Sequence, residues 1–340
     1  MVDELIRILF LSTLAFALAV LGTPVLTHFL YRYKLGKQIR AADEAPIYAK
    51  LHASKLGTPT MGGVLVWGAM LVVIGLARFT PFDFLSRAET LLPLGALVAS
   101  AVVGLVDDLF NIRKRGSHGG GLRMRHRLLI YTIIAIIGAA WFYFKLDWDV
   151  LHLPFFGNYS IGWWYIPFFI LVIVATGFSV NETDGLDGLA GGGLVVAYLA
   201  YGVIAFTLGR YDLAVFCGVI IGALLAFLWF NIFPARFFMG DTGAMSLGVT
   251  LGIIAMLTNY ALFLPIIGFV FVLETASALL QMISKRLFHK KIFLSAPLHH
   301  HLEAIHWPEP KIVMRFWIIA SIMAGLGVLL VLLDRSVLVL

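Results

Sequence analysis

Long apolar runs separated by short polar stretches make up most of the chain. Many of these runs have about 20 residues, the length at which an α-helix crosses the hydrocarbon core of a bilayer. Backbone groups there must be paired within the protein, and the runs lack the alternation of a β-barrel, so helices are expected. Ten membrane-spanning helices are predicted, at residues 5–31, 61–78, 90–107, 128–145, 162–180, 187–208, 213–231, 242–258, 261–284 and 314–333.

The composition supports this prediction. Hydrophobic residues make up 61% of the 340 residues and charged residues only 13%, whereas soluble domains carry about 25% charged residues. The first apolar run is too long for the apolar part of a signal peptide, and no small-residue cleavage site follows it, so it is expected to remain as the first helix. We therefore predict an all-α polytopic membrane protein with one domain over residues 1–340.

The distribution of basic residues predicts the orientation. Of the 25 Lys and Arg residues, 19 fall on one side of the predicted helices and six on the other. The side rich in Lys and Arg faces the cytoplasm, which places both termini on the outer face. The scattered positive charge favours a surface beside anionic lipid over a nucleic-acid partner. The predicted cytoplasmic loops are residues 32–60, 108–127, 181–186, 232–241 and 285–313.

Two acidic motifs lie in or beside these loops. Asp107 and Asp108 end the third predicted helix, and adjacent carboxylates favour a bound cation or a raised pKa on one of them. The alternative is an interfacial acid pair balanced by the basic loop that follows. Asp241 stands at the expected start of a helix, where it is either a simple cap or, with the other acids, a ligand for Mg²⁺.

A third polar motif joins the fifth and sixth predicted helices. Asn181, Asp184 and Asp187 recur every three residues, so they would lie along one side of the segment if it is helical. Gly185 and Gly188 leave room for a close ligand. The alternative is an Asp cap within a glycine turn.

The remaining candidates are basic or isolated. The stretch from Lys55 to Gly63 combines a lysine, hydroxyls and glycines before a helix and is suited to phosphate, although it lacks the Walker spacing. His299-His300-His301 favours phosphate contact or proton transfer over structural zinc, with a solvated polar loop as the alternative. Glu274 lies inside the ninth predicted helix; we interpret it as structural and expect Glu274→Gln to be nearly silent.

Together these motifs resemble the polyprenyl-phosphate N-acetylhexosamine-1-phosphate transferases. The resemblance covers nearly the whole chain in family order, and the histidines followed by Trp307-Pro308-Glu309-Pro310 are most similar to the muramoyl branch. It implies transfer of phospho-N-acetylmuramoyl-pentapeptide from its UDP-linked donor to undecaprenyl phosphate, giving lipid I and UMP. It also implies a bacterial cytoplasmic membrane protein whose active site faces the cytoplasm, with a homodimer as one option for its assembly.

The resemblance implies roles for particular residues. Those implied in catalysis are Asp107, Asp108, Asp241, His299 and His300, with Asp241 as the ligand of Mg²⁺. Phosphate, sugar or nucleoside contacts are implied for Lys55, Thr60, Arg127, Asn181, Asp184, Gly185, Leu186, Asp187, Asn231, Phe238, Gln281 and His301.

The chain departs from the family pattern at three places in these motifs. Asn111 stands where a family lysine is common, so Arg113 or Lys114 would have to supply that charge. Arg127 replaces another family lysine and keeps the charge but not the shape. Glu182 stands where an apolar residue is usual. Two other functions stay open at this point, which are transfer from UDP-N-acetylglucosamine and secondary transport.

Overall fold

The computed structural model describes residues 1–36, 55–86, 89–113 and 121–339. Parts of the predicted cytoplasmic loops 32–60 and 108–127, including Lys114, lie outside the described residues. Within the described ranges the chain forms twelve α-helices and one β-hairpin. The helices are α1 (Val2–Arg32), α2 (Gly63–Ala77), α3 (Leu91–Ile112), α4 (Met124–Ala140), α5 (Tyr165–Thr183), α6 (Leu189–Thr207), α7 (Tyr211–Asn231), α8 (Gly240–Leu257), α9 (Leu264–Ile267), α10 (Phe269–Leu287), α11 (Leu298–Ala304) and α12 (Glu309–Val339).

Every predicted apolar segment coincides with helix. Among the described residues, eight helices are long and apolar enough to cross a membrane, and α9 and α10 together with the turn before them make a ninth candidate. The helix α2 is also apolar but has only 15 residues. The prediction of an all-α polytopic membrane protein is therefore confirmed in its main lines.

The prediction of one continuous helix over residues 261–284 is wrong. Ala261–Ile267 and α10 meet at an angle of 82°. The backbone of Gly268, at φ −95° and ψ 29°, leaves the helical range between them, and glycine leaves a helix more readily than other residues because it gains most in conformational freedom. As a result α10 runs across the direction of the short helix before it.

A small β-hairpin, which the apolar pattern did not predict, precedes α5. Strands β1 (Val150–Leu153) and β2 (Gly157–Ser160) pair in antiparallel register. His152 on β1 contacts Asp334 of α12 with its Nε2 atom 2.6 Å from Oδ2, and both side chains are buried. The hairpin is thus held against α12 at the end of α5 opposite to Asn181.

The helix α8 lies at the centre of the helical bundle. Its apolar window is 94% buried, compared with 17% for α1 and 28% for α12. Gly104 of α3 lets the two helices approach closely, because a Cβ atom there would overlap the backbone of Asp241. Small residues permit such contacts between membrane helices. The packing therefore brings the acidic end of α3 to the first turn of α8.

Candidate active site

The first turn of α8 is capped by a carboxylate from another helix. Asp108 of α3 accepts hydrogen bonds from the backbone N–H of Asp241 at 3.2 Å and of Thr242 at 3.1 Å, and from the Thr60 hydroxyl at 3.2 Å. The first N–H groups of a helix have no partner within it and favour negative charge. Asp108 therefore holds in place the backbone that carries Asp241.

Arg127 joins polar side chains from three other helices. Its Nε atom donates to Asp107 at 2.7 Å, Nη1 to Asn181 at 3.1 Å, and Nη2 to Asp241 at 2.9 Å. The Asn181 amide also donates to Asp241 at 2.6 Å. A lysine ammonium lacks the planar fork that makes these bonds. The arginine at position 127 can therefore bond three side chains in a geometry that the usual family lysine could not reproduce. We call Asp107, Asp108, Arg127, Asn181 and Asp241 the carboxylate cluster.

Negative charge exceeds positive charge in the carboxylate cluster, which holds three carboxylates and one guanidinium. The Asp107 side chain is fully buried, whereas that of Asp241 is 14% exposed and can be reached from solvent. Hard carboxylate oxygens of this kind suit Mg²⁺, which usually takes one or two carboxylates together with phosphate and water oxygens. Among the described residues, no group of three or more His, Cys, Asp and Glu side chains could hold a metal by itself. A metal ion held at this cluster would need further ligands from outside it, such as phosphate or water oxygens.

A second ionic group lies nearby in the chain's polar loops, and we call it the lysine cluster. Lys55 Nζ lies 2.6 Å from Asp187 Oδ1 and 2.6 Å from Glu309 Oε1. Asp187 also accepts from the backbone of Ala235 at 3.0 Å and donates its own N–H to Glu309 at 2.7 Å. The lysine expected to bind phosphate is thus paired with two carboxylates, one of which, Glu309, had no predicted role of its own.

The Asn181 motif is not helical throughout, so the condition under which its three polar side chains would align is not met. The helix α5 ends at Thr183, and the chain then turns through Gly188, whose φ is +82°. A positive φ favours glycine because it has no Cβ. As a result, Asn181 belongs to the carboxylate cluster, whereas Asp187 belongs to the lysine cluster.

Asn231 ties this turn to the loop before α8. Its amide oxygen accepts from Gly188 N–H at 3.0 Å, and its amide nitrogen donates to the Phe237 carbonyl at 2.9 Å. The neighbouring ring of Phe238 lies below Lys55, with Nζ 5.9 Å from the ring centroid. Asn231 therefore fixes two loops in this structure, and its contact with substrate stays a prediction.

The histidine motif forms the short helix α11, not a solvated loop. His299 is fully buried, and its Nδ1 atom lies 2.8 Å from Glu274 Oε2. Its Nε2 atom bonds no other described group and points towards Gly185, where a Cβ atom would overlap the ring. Burial by itself lowers the pKa of His299, but the Glu274 carboxylate, with smaller contributions from Glu303 and Glu182, raises it, so the pKa lies above its usual value.

The other two histidines have separate partners. His300 Nδ1 lies 2.7 Å from Glu303 Oε2. His301 Nδ1 accepts from the Leu294 backbone at 3.2 Å, and its ring packs on Phe293 at 5.4 Å. The His299 and His300 rings nevertheless lie side by side, with their centroids 4.1 Å apart, whereas the His301 ring packs on Phe293.

Gln281 holds the segment that leads to α11. Its side-chain oxygen accepts from the backbone of Ile292 and Phe293, both at 3.0 Å, and its nitrogen donates to the Phe293 carbonyl at 2.8 Å. Leu186, another residue of the predicted nucleoside pocket, is 4% exposed and packs in an apolar cluster with Phe316. Asp184 is half-buried. Nucleoside contacts by these residues stay predictions.

Three further residues bear on the site and were given no role in it by the sequence. Glu309 enters the lysine cluster, and Glu274 pairs with His299. Tyr131 lies one turn after Arg127 on α4 and is fully buried, and its hydroxyl bonds no described group. Glu309 could have been noticed in the sequence because it is the acidic residue of the Trp307–Pro310 motif. Tyr131 has no sequence pattern that distinguishes it from the other apolar positions of α4.

The fold and this site together define a class of membrane-embedded transferase. The family model described as "Glycosyl transferase family 4" matches residues 90–259, a region that contains the whole carboxylate cluster. The histidine helix and Lys55 lie outside it.

Full-length relatives narrow the class. The chain is 37% identical to the phospho-N-acetylmuramoyl-pentapeptide-transferase of Chloroflexus aggregans, over 99% of this chain and 92% of the relative. It is 39% identical to that of Geobacillus sp. (strain WCH70), over 93% and 95%, and 37% identical to that of Bacillus subtilis (strain 168), over 94% and 97%. The chain belongs to the family of phospho-N-acetylmuramoyl-pentapeptide-transferases.

Proposed function

We propose that the protein transfers phospho-N-acetylmuramoyl-pentapeptide from its UDP-linked donor to undecaprenyl phosphate, giving lipid I and UMP in peptidoglycan synthesis. The observation that carries this proposal is the convergence of Asp107, Asn181 and Asp241 on Arg127, in a chain related over nearly its full length to transferases of that name. Neither transfer from UDP-N-acetylglucosamine nor transport is favoured by these relatives.

The reaction needs an oxygen of the acceptor phosphate to attack the phosphorus next to the sugar while UMP leaves. In our proposal Asp107 accepts the last proton of the acceptor phosphate or positions that group. Arg127 holds the buried carboxylate of Asp107 in place for this role. Asp241 holds Mg²⁺, which supplies charge stabilisation for the phosphates when it is bound. Arg127 and Asn181 keep these carboxylates apart and oriented.

The histidine helix and the lysine cluster serve the donor in this proposal. His299 serves the donor pyrophosphate or sugar through the turn at Gly185, towards which its Nε2 atom points, and a pKa raised by Glu274 keeps the ring positively charged to a higher pH. Lys55 is the only cation of the lysine cluster within the described residues, and it lies beside Phe238. Donor phosphates would compete with Asp187 and Glu309 for it.

The placement in the membrane is also part of the proposal. Residues 1–340 form one domain in the bacterial inner membrane, with ten crossings, both termini outside and the carboxylate cluster facing the cytoplasm. The excess of Lys and Arg on that side supports this orientation. A homodimer is one assembly compatible with this orientation. Chemical crosslinking in membranes would test whether the protein forms a homodimer.

Release of UMP by the purified protein in detergent tests the function. With Mg²⁺, undecaprenyl phosphate and UDP-N-acetylmuramoyl-pentapeptide present, we expect UMP, and we expect none when either substrate or Mg²⁺ is left out. If UMP is released only when UDP-N-acetylglucosamine is the donor, the protein belongs with the transferases that use UDP-N-acetylglucosamine. Absence of release from folded protein with either donor would contradict the transferase proposal.

A further inference from the structure

The end of α10 and the segment after it carry a group of exposed cations. Lys285, Arg286, Lys290 and Lys291 all have exposed side chains. None of the ion pairs between described residues involves them. Four positive charges within seven residues therefore lack a protein counter-charge among the described residues. We call residues 285–294 the basic segment.

The same segment also exposes large apolar side chains. Leu287 is 66% exposed, Phe288 67%, Ile292 58% and Leu294 51%. Leaving these side chains in water is unfavourable, because each loses the free energy of burying its apolar surface. Exposed apolar groups interleaved with cations are typical of elements that lie at the boundary between lipid headgroups and acyl chains.

The second half of α10, which leads into the basic segment, has two unlike sides. From Glu274 onwards its buried residues are polar, namely Glu274, Ser277, Gln281 and Ser284. Its opposite side exposes apolar residues such as Leu280 at 50%. The helix therefore presents an apolar face outward. Its direction differs by 82° from that of the preceding helix.

Hydrogen bonds fix the backbone of the basic segment. The Ser284 hydroxyl donates to the Lys290 carbonyl at 2.9 Å, and Gln281 binds the backbone of Ile292 and Phe293. The cations and apolar side chains are therefore presented by a defined backbone, with the charged groups and the apolar groups close to one another.

We propose that the basic segment is a binding surface for anionic phospholipids of the cytoplasmic leaflet. Lys285, Arg286, Lys290 and Lys291 contact the headgroup phosphates, and Leu287, Phe288 and Ile292 enter the upper acyl region. The charges are complementary, and each Lys or Arg near an anionic membrane surface favours the bound state about fivefold. This surface is separate from the carboxylate cluster and does not depend on the transferase proposal.

Lipid bound here would also support the histidine helix. Leu294, at the end of the segment, donates its N–H to His301, and Phe293 packs on the same ring. An anionic headgroup that holds the basic segment in place therefore restrains the residues on which α11 rests. Anionic lipid is expected to stabilise this end of the protein more than zwitterionic lipid does.

Photo-crosslinking in nanodiscs tests the proposal. The full-length protein is placed in phosphatidylcholine with a photoactivatable phosphatidylglycerol and no polyprenyl phosphate, and labelled peptides are mapped. The test variant carries Lys285→Gln, Arg286→Gln, Lys290→Gln and Lys291→Gln. The control variant loses four exposed cations at other places on the same predicted side, through Arg32→Gln, Lys34→Gln, Arg123→Gln and Arg125→Gln.

We expect labelling of residues 285–294 to fall at least about fivefold in the test variant and to stay near the wild-type value in the control. Equal labelling of that segment in the wild type and the test variant, or wild-type labelling that maps elsewhere, would overturn the proposal. If the test variant does not fold, the wild type in rising NaCl replaces it. Labelling should then fall as salt screens the charges, and salt-independent labelling would overturn the proposal.

A competition experiment separates phospholipid from the acceptor lipid. Adding undecaprenyl phosphate equimolar with the labelled lipid should leave labelling of the segment within about twofold, because a phospholipid surface does not single out one lipid phosphate. Displacement of the label would assign the segment to the acceptor lipid and overturn the phospholipid proposal. Both readouts work even if the protein shows no transferase activity, so the two proposals fail separately.

Discussion

Two buried ionic groups at opposite ends of α5 differ in how their charges are balanced. In the group beside the β-hairpin, which we call the outer group after the predicted orientation, Asp334 pairs with His152 and accepts the Phe155 N–H, while the other His152 nitrogen lies 2.9 Å from Asn158. In the carboxylate cluster, which we call the inner group, Arg127 pairs with Asp107 and Asp241, and Asp108 adds a third carboxylate. A buried charge is tolerated when it is paired and hydrogen-bonded. The Asp334 carboxylate of the outer group meets that condition and clamps the hairpin to α12. The inner group keeps an excess of negative charge, which a bound cation would neutralise.

Replacing a carboxylate of the inner group should have the largest effect on turnover. Asp241→Asn removes the charge proposed to hold Mg²⁺ while keeping the side-chain shape. We expect turnover, measured as UMP release, to fall by about 10²–10³-fold, the range found when one preorganised electrostatic group is removed. Thermal unfolding in detergent should change little. Turnover near that of the wild type would show that the Asp241 carboxylate is not needed for the reaction.

Changing the cation of the inner group should have the next largest effect. Arg127→Lys keeps one positive charge but loses the fork that reaches Asp107, Asn181 and Asp241. Loss of one or two charged hydrogen bonds corresponds to about 10–10²-fold in rate. Steady-state kinetics at saturating Mg²⁺ would measure it. An unchanged rate would mean that a point charge is sufficient and that the fork has no role.

Glu274→Gln should have an intermediate effect, which revises the expectation that it is nearly silent. Because Glu274 raises the pKa of His299, neutralising it should lower that pKa and shift the alkaline limb of the rate profile to lower pH. Loss of one charged hydrogen bond suggests about a tenfold lower rate at neutral pH. The rate profile of the variant, compared with that of the wild type, would decide this. Superimposable profiles would favour the purely structural interpretation of Glu274.

The same pKa shift predicts a pH dependence of stability. A pKa raised on folding stabilises the protein fully below the unfolded value of about 6.5, and this contribution is lost as the pH rises through the folded value. Unfolding temperatures of the wild type should therefore decline with rising pH above about 6.5 more steeply than those of Glu274→Gln. Parallel curves would contradict the coupling between Glu274 and His299.

Breaking the outer group should change turnover least. Asp334→Asn removes the carboxylate that contacts His152 and accepts from the Phe155 N–H, and each hydrogen bond to a charged group contributes about 1.5–3 kcal/mol to stability. Turnover per folded molecule should stay within about twofold, because no group of the active site is touched. Denaturation and UMP release measured on the same preparation would separate the two. A large loss of turnover in a stable variant would show that the clamp also acts on the site.

The sequence predicted most helices but few of the contacts between them. Apolar periodicity and length are local properties, so the positions of α1 to α8 and of α12 follow from them. The break at Gly268 was missed because glycines also occur inside intact helices such as α6. The hairpin was missed because its strands have only four residues each.

The candidate site shows the same limit. The motifs identified Asp107, Asn181 and Asp241 as polar groups near one membrane face, but their joint contact with Arg127 depends on how α3, α4, α5 and α8 pack. The division of the Asn181 motif between two clusters depends on where α5 ends. The pairing of Lys55 with Glu309 joins residues far apart in the chain, and a single sequence carries no signal for such a pair.

The helix α12 is fastened by ion pairs near both of its ends. Glu309 contacts Lys55 and Asp334 contacts His152, and about 25 residues of helix between them span about 38 Å. The hydrocarbon core of a typical bilayer is about 30 Å thick. Because neither end is free to slide, a thinner membrane has to be met by greater tilt or by local deformation of the lipid. The distance between these two contacts is therefore set by the length of α12 and not by the thickness of the membrane around it.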